Sequence, residues 1–236
     1  MLQKLREEVY LANIALEEEG LVTLTWGNAS AVDREAKIVV IKPSGVAYNN
    51  LRPKNMVAVS LETGKVVEGS LNPSSDLATH LELYRAFPGI GGIAHTHSHY
   101  ATAWAQARRP IPALGTTHAD HFYGPVPCTR SLRKKEIESD YEVNTGRVIL
   151  ETFAKLDPMK VPAVLVAHHA PFAWGRTVGE AATNAVALEQ IARMAIDTLL
   201  VNPSIGTISD DLLKKHFLRK HGAAAYYGQK DKAGAS

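Results

Sequence analysis

The sequence predicts an α/β fold, a single domain with a central mixed, largely antiparallel β-sheet flanked by helices. Segments rich in Val, Ile and Thr recur between turn residues, and amphipathic stretches stand between and after them. Some strand-like segments are joined by turns as short as Glu62-Thr63-Gly64, which suits antiparallel neighbours. With 236 residues, 45% of them hydrophobic and 21% charged, the chain can bury one substantial core.

The first element is a helix, with Leu2, Leu5, Val9, Leu11, Ala12 and Leu16 near helical spacing and Gly20 closing it. At least five strands follow, carried by "LVTLTWGNASAVD", "KIVVIKPSG", "MVAVSLETGKVVEG", "GIGGIAHTHSHY" and "VPAVLVAHHAPFAWG", each bounded by Gly, Pro, Asn or Asp. Helices are expected in "SSDLATHLELYRAFP" and "HYATAWAQAR", and a long amphipathic one in "GEAATNAVALEQIARMAIDTLLV". The domain is expected over residues 1–229. The final 230–236, with no large apolar residue, is expected to be a disordered tail.

Composition narrows the function. A net charge of +2 gives no overall field to recruit nucleic acid or an acidic membrane, so an anionic partner must be gripped locally. Cys128 is the single cysteine, which excludes an intramolecular disulfide framework and a multi-cysteine zinc knuckle, and fits a cytoplasmic location. The N-terminus mixes charge with apolar residues, and no apolar run reaches about 18 residues, so a soluble, uncleaved protein is expected.

Five of the ten histidines crowd into two strand-like segments, His95, His97 and His99 in "AHTHSH" and His168 and His169 in "AHHAPF". On a strand, alternate side chains share a face about 6–7 Å apart, so His95 and His97 are expected to converge on one ion, with His168 or His169 completing the set. Three neutral imidazoles suit zinc or a neighbouring first-row ion and leave a position open. A nearby carboxylate is required as a further ligand or for proton traffic. Asp76 and Glu82 are the candidates, although Asp76 also reads as a capping residue after Pro73-Ser74-Ser75.

A phosphate grip is legible in three turns. "TWGNAS", "KPSG" and "PSSD" offer backbone N–H groups, the hydroxyls of Ser44, Ser74 and Ser75, the Asn28 amide and the Lys42 cation. No Walker loop or GxGxxG competes with them.

The ordered set "TWGNAS", "IKPSGV", "NPSSD", "AHTHS", "GTTHADHFYG", "HHAPFAWG" and "HFLRKHGAAAYYGQ" resembles the class II aldolase/epimerase family over residues 1–229, on its epimerase-like side. The resemblance implies the adducin-head type of fold and metal ligation by Asp76, His95, His97 and His169, with Zn2+ the usual ion. It implies phosphate contacts at Gly27, Asn28, Ser44, Gly45, Ser74 and Ser75, with Lys42 nearby, and an acid/base pair of Asp120 and Tyr227 with His216 close to substrate. It further implies a homotetramer with active sites at subunit interfaces, and a role in sugar catabolism such as L-arabinose use. The implied reaction is 4-epimerisation of a pentulose phosphate, L-ribulose 5-phosphate to D-xylulose 5-phosphate, by retro-aldol cleavage at C3–C4 and re-addition. The alternative is net cleavage by a sugar-phosphate aldolase acting on a substrate such as fuculose 1-phosphate. Aldolases of the family carry glutamate where this chain has Asp76, which favours epimerisation.

Overall fold

The computed structural model describes residues 2–223 and 225–227. The tail expected at 230–236, and with it the boundary after residue 229, lies outside the described residues.

Helix α1 (Leu2–Glu18) ends where expected, and Gly20 adopts a left-handed φ of 69° that closes it. The sheet then builds outward and back. It contains β1 (Asn28–Asp33), β2 (Ile38–Ile41), β3 (Val57–Ser60), β4 (Val66–Glu68), β5 (Gly92–His95), β6 (Ala163–Leu165) and β7 (Pro171–Gly175), in the order β4-β3-β2-β1-β5-β7-β6. Every ladder between these strands is antiparallel, so the sheet is not mixed.

Two of the expected strand segments hold two strands each, the first divided at the turn expected there and the second at a turn that was not. In "MVAVSLETGKVVEG" the chain reverses at Glu62-Thr63-Gly64 to give β3 and β4. In "VPAVLVAHHAPFAWG" it reverses through His168, whose left-handed φ of 63° allows the turn. Strand β5 stops at His95, so His97 lies in a loop and His99 opens α3 (His99–Ala107) against the Tyr100 ring. The expectation of His95 and His97 sharing one strand face is therefore replaced by one strand end followed by a loop.

Helix α2 (Leu77–Ala86) joins β4 to β5, and α7 (Val178–Val201) runs along β5 and β7 with α1 and α3 beside it. Glycines permit that close approach: a Cβ on Gly92 would stand 2.3 Å from Val178 Cα. Between α3 and β6 lie α4 (Thr116–Ala119), α5 (Lys134–Glu138) and α6 (Tyr141–Thr152), and α8 (Asp210–His221) follows α7. Helix α6 packs on α2, again at a glycine, Gly146, where a Cβ would meet Glu82 Cβ at 2.6 Å. Among the described residues, no helix is long and apolar enough to cross a membrane.

Candidate active site

Three chain segments bring His95, His97 and His169 together. β5 delivers His95 at its end, the following loop delivers His97, and the β6–β7 turn delivers His169. Their ring centroids form a near-equilateral triangle, 5.0, 5.0 and 5.1 Å on a side, and one ligand nitrogen from each lies within 4.8 Å of the others. His168, by contrast, is exposed and its backbone N–H is tied to the Ala105 carbonyl.

Two of the rings are held neutral and the third is oriented by its hydrogen bond. His95 Nδ1 lies 2.9 Å from the Pro171 carbonyl, an acceptor only, so that nitrogen carries the proton and Nε2 keeps its lone pair. Burial, together with His95 and His97, pushes His169 down to about 4, and burial likewise lowers His97. His169 Nδ1 is buried without a hydrogen-bond partner among the described residues. Convergent imidazoles with an unpartnered nitrogen fit a divalent first-row metal ion. The loop is held from behind by the buried Glu189 of α7, which accepts the Tyr100 and Ala101 N–H groups at 2.8 and 2.9 Å and so caps α3.

Asp76 stands beside this triad. Its Oδ2 is 4.0 Å from His95 Nε2 and accepts hydrogen bonds from Asn28 Nδ2 at 2.7 Å and Ser74 Oγ at 3.4 Å. It occupies the N-cap position of α2 but makes no side-chain cap, so the capping reading does not describe it. Burial opposes its ionisation, yet His95, His80, His169 and the Asn28 bond together hold its carboxyl below the usual range. Glu82 pairs with Arg85 at 3.1 Å instead and does not line the cleft.

The cleft in front of His97 and His169 has a volume of about 590 Å³, and Gly27, Asn28, Lys42, Ser44, Gly45, Ser74, Ser75 and Asp76 also line it. Two of its turns are stitched to each other. Ser44 N–H donates to the Asn72 carbonyl and Ser74 N–H to the Lys42 carbonyl, both at 3.0 Å. Those two N–H groups are therefore engaged within the protein, contrary to a grip using every backbone donor. Those of Gly45 and Ser75 have no bond among the described residues. Asn28 differs too, because both Nδ2 hydrogens go to Ser74 and Asp76, making it a support for the carboxylate. Gly27 has a φ of 74°, and a Cβ there would lie 2.9 Å from the His95 carbonyl oxygen. Lys42 is 1% exposed, donates to the Thr25 carbonyl at 3.1 Å and lies over the Tyr48 ring. Burial lowers its pKa to about 8, with Asp76 pulling the other way.

Asp120, Tyr227 and His216 gather elsewhere, and none lines the cleft. Asp120 caps α4 and accepts from His216 Nδ1 at 3.0 Å and from Arg219 Nε and Nη2 at 3.1 and 2.6 Å, with Lys220 Nζ at 3.7 Å. Burial works against its charge, but Arg219, His216 and Lys220 outweigh it and keep the carboxylate ionised. The exposed Tyr227 ring faces Arg219 at 4.8 Å and Lys220 at 4.5 Å, so Arg219 touches both members of the expected acid/base pair.

Several cleft residues were not anticipated from sequence: Trp26, Tyr141 and Glu142. Tyr141 and Glu142 open α6, whose position on α2 is fixed by the Thr79 hydroxyl donating to the Glu142 carbonyl at 2.6 Å. Asp140, directly before them, is a residue type common at helix starts and the available signal. Trp26, half exposed at the mouth with its ring 6.2 Å from His97, was signalled only by being an aromatic in a turn.

Residues 7–196 match the class II aldolase and adducin N-terminal domain family. The chain is 55% identical over 229 residues to the L-ribulose-5-phosphate 4-epimerase UlaF of Salmonella paratyphi B, covering 97% of this chain and all of the relative. The relative of the same name in Salmonella typhi is equally similar over the same coverage. Among solved structures, an L-fuculose 1-phosphate aldolase superposes with a TM-score of 0.74 at 27% identity, over 90% of this chain and 94% of that one. The L-fuculose-1-phosphate aldolase of Thermus thermophilus shares the fold with a TM-score of 0.66 at 21% identity, over 86% and 98%.

Proposed function

The chain belongs to the class II aldolase and adducin N-terminal domain family, and we propose that it is a sugar-phosphate 4-epimerase interconverting L-ribulose 5-phosphate and D-xylulose 5-phosphate. The observation that supports this reading is the cleft itself, where three converging imidazoles and Asp76 adjoin Lys42, Ser44, Gly45, Ser74 and Ser75, a set suited to gripping an anion.

The chemistry demands both halves of that cleft. The C4 proton of a 2-ketose phosphate is not adjacent to the carbonyl, so direct deprotonation does not invert C4. Removal of the C4 hydroxyl proton instead breaks C3–C4, giving an aldehyde and an enediolate. A divalent ion, zinc foremost, held by His95, His97 and His169 with Asp76 alongside, supplies Lewis-acid stabilisation of the negative charge on the substrate oxygens. Lys42, Gly27 and the Ser44-Gly45 and Ser74-Ser75 turns hold the phosphate, so the glycolaldehyde phosphate turns over without leaving. Re-addition to its other face inverts C4.

Two groups must then handle the proton on opposite sides of the aldehyde. Asp120, ionised beside Arg219, and Tyr227, whose ring lies against Arg219 and Lys220, are the two groups assigned to that exchange. Because neither lines the cleft of its own chain, they serve the cleft of a neighbouring copy in a fourfold-symmetric homotetramer. The enzyme is cytoplasmic and acts in sugar catabolism, L-arabinose use being one setting.

Incubating metal-replete protein with L-ribulose 5-phosphate tests the reading, with D-xylulose 5-phosphate and glycolaldehyde phosphate followed together. Xylulose phosphate that disappears with a chelator is expected. Fragments alone would make the protein an aldolase.

A further inference from the structure

Behind Asp76, away from the cleft, runs a second set of polar contacts that the proposed reaction does not use. Asn28 and Ser30 are two apart on β1 and point to one face, while Asp76, His80 and Tyr84 are four apart along α2 and lie on one side of it. The two rows meet in register. Asn28 bonds Asp76 at 2.7 Å, Ser30 Oγ lies 2.7 Å from His80 Nδ1 and 2.8 Å from Tyr84 Oη, and Tyr84 Oη donates to the Ser30 carbonyl at 2.9 Å. Ser30, His80 and Tyr84 are each completely buried.

With the Tyr84 hydrogen on the Ser30 carbonyl, the Ser30 hydroxyl hydrogen is the one left for the contact between the two hydroxyls. His80 Nδ1–H is then the donor to Ser30 Oγ. His80 is neutral, since burial pushes it down to about 3 against the pull of Asp76. Its Nε2 has no partner among the described residues, so the ring keeps an unmet polar atom in the core. The His80 ring also meets Phe172 edge-on at 5.9 Å, and Phe172 stacks on His95 at 4.1 Å. His80 is thus joined to the cleft twice, by one turn of α2 to Asp76 and by one aromatic ring to His95.

We infer that His80 is a positioning residue which, through Ser30 and Tyr84, fixes the rotation and height of the first turn of α2. The segment that enters that turn carries Asp76 beside the histidines and Ser74 and Ser75 into the lining of the cleft. One device therefore sets both the metal-side carboxylate and the grip that retains the glycolaldehyde phosphate. This inference rests on the epimerase reading of the cleft. Loosening the register lets the fragment escape before re-addition.

The variants are Ser30→Ala, His80→Leu and His80→Asn, the last retaining a donor near the Nδ1 position. Each is assayed with L-ribulose 5-phosphate for the ratio of glycolaldehyde phosphate released to xylulose phosphate formed, a ratio independent of how much protein is folded. Zinc affinity is measured separately by chelator competition. Ser30→Ala and His80→Leu are expected to raise the released share and KM and to weaken zinc binding by about tenfold, the scale of lost support behind a metal site, while His80→Asn stays near wild type. Should His80→Leu not fold, Ser30→Ala removes a single oxygen and gives the same readouts. An active wild type whose variants keep its ratio, KM and zinc affinity, with only a lower Tm, overturns the inference. A wild type that forms no xylulose phosphate overturns the epimerase reading instead.

Discussion

Lys42→Met should make the enzyme worse and the fold better. Lys42 is 1% exposed, and burial takes its pKa from an ordinary 10.5 to about 8. That difference corresponds to about 3 kcal/mol of destabilisation from keeping the ammonium charged near pH 7. Between about 8 and 10.5 the unfolded chain holds a proton that the folded chain has released, so stability rises with pH across that window and the burden is full below it. Methionine removes the burden and also a hydrogen bond from a charged donor to the Thr25 carbonyl, worth about 1.5–3 kcal/mol. The net gain is about 0–1.5 kcal/mol at pH 7, or up to about 3–6 °C in Tm for a chain of this size.

Activity should move the other way. A cationic hydrogen bond to phosphate contributes about 1.5–3 kcal/mol, so kcat/KM falls about 10- to 100-fold in the variant. In the wild type, kcat/KM declines above about pH 8 as Lys42 loses its proton, and the variant lacks that limb. Thermal melts at pH 7 and 9.5 and kcat/KM from about pH 6.5 to 9.5 check both. A variant that melts lower than wild type at pH 7 and keeps the alkaline limb refutes the reasoning.

Two further substitutions probe the cleft. Gly27→Ala places a Cβ 2.9 Å from the His95 carbonyl oxygen at a φ of 74°, a conformation that alone costs about 1–2 kcal/mol, so Tm should fall by several degrees and zinc affinity with it. A melt and zinc affinity unchanged from wild type would contradict that. Asp76→Glu pushes a longer carboxylate past its Asn28 and Ser74 partners and should raise release of glycolaldehyde phosphate in a coupled assay. Unchanged release would separate Asp76 from the choice between epimerisation and cleavage.

Sequence patterning reached the strand segments, the four helices α1, α2, α3 and α7, and the turns that line the cleft, because each carries its own local signal. It missed the break after Leu165 because Ala167-His168-His169-Ala170 turns without a glycine or proline, with His168 itself in the left-handed region. The strand after Gly92 was read too long because Thr96 and His97 look like strand residues, whereas the Glu189 carboxylate, some ninety positions away, starts a helix just beyond them. Helix α8 buries only Phe217, so its apolar pattern is faint, and it is fixed by Asp120 from a distant segment. His80 was hidden for a related reason, since its importance lies in a register between two elements and not in either one.

Mixing two disabled variants tests the shared active site most directly. His97→Asn removes a triad member and Asp120→Asn the carboxylate proposed to handle the proton, and each alone should be inactive. Subunits exchanged by mild denaturation and refolding at equal amounts should recover about a quarter of wild-type epimerisation, because in a ring of heterologous contacts one interface in four then pairs an intact cleft with an intact Asp120. Recovery near that level supports a site built from two chains. No recovery from a mixture shown to contain mixed oligomers would place both groups in one chain and contradict the account.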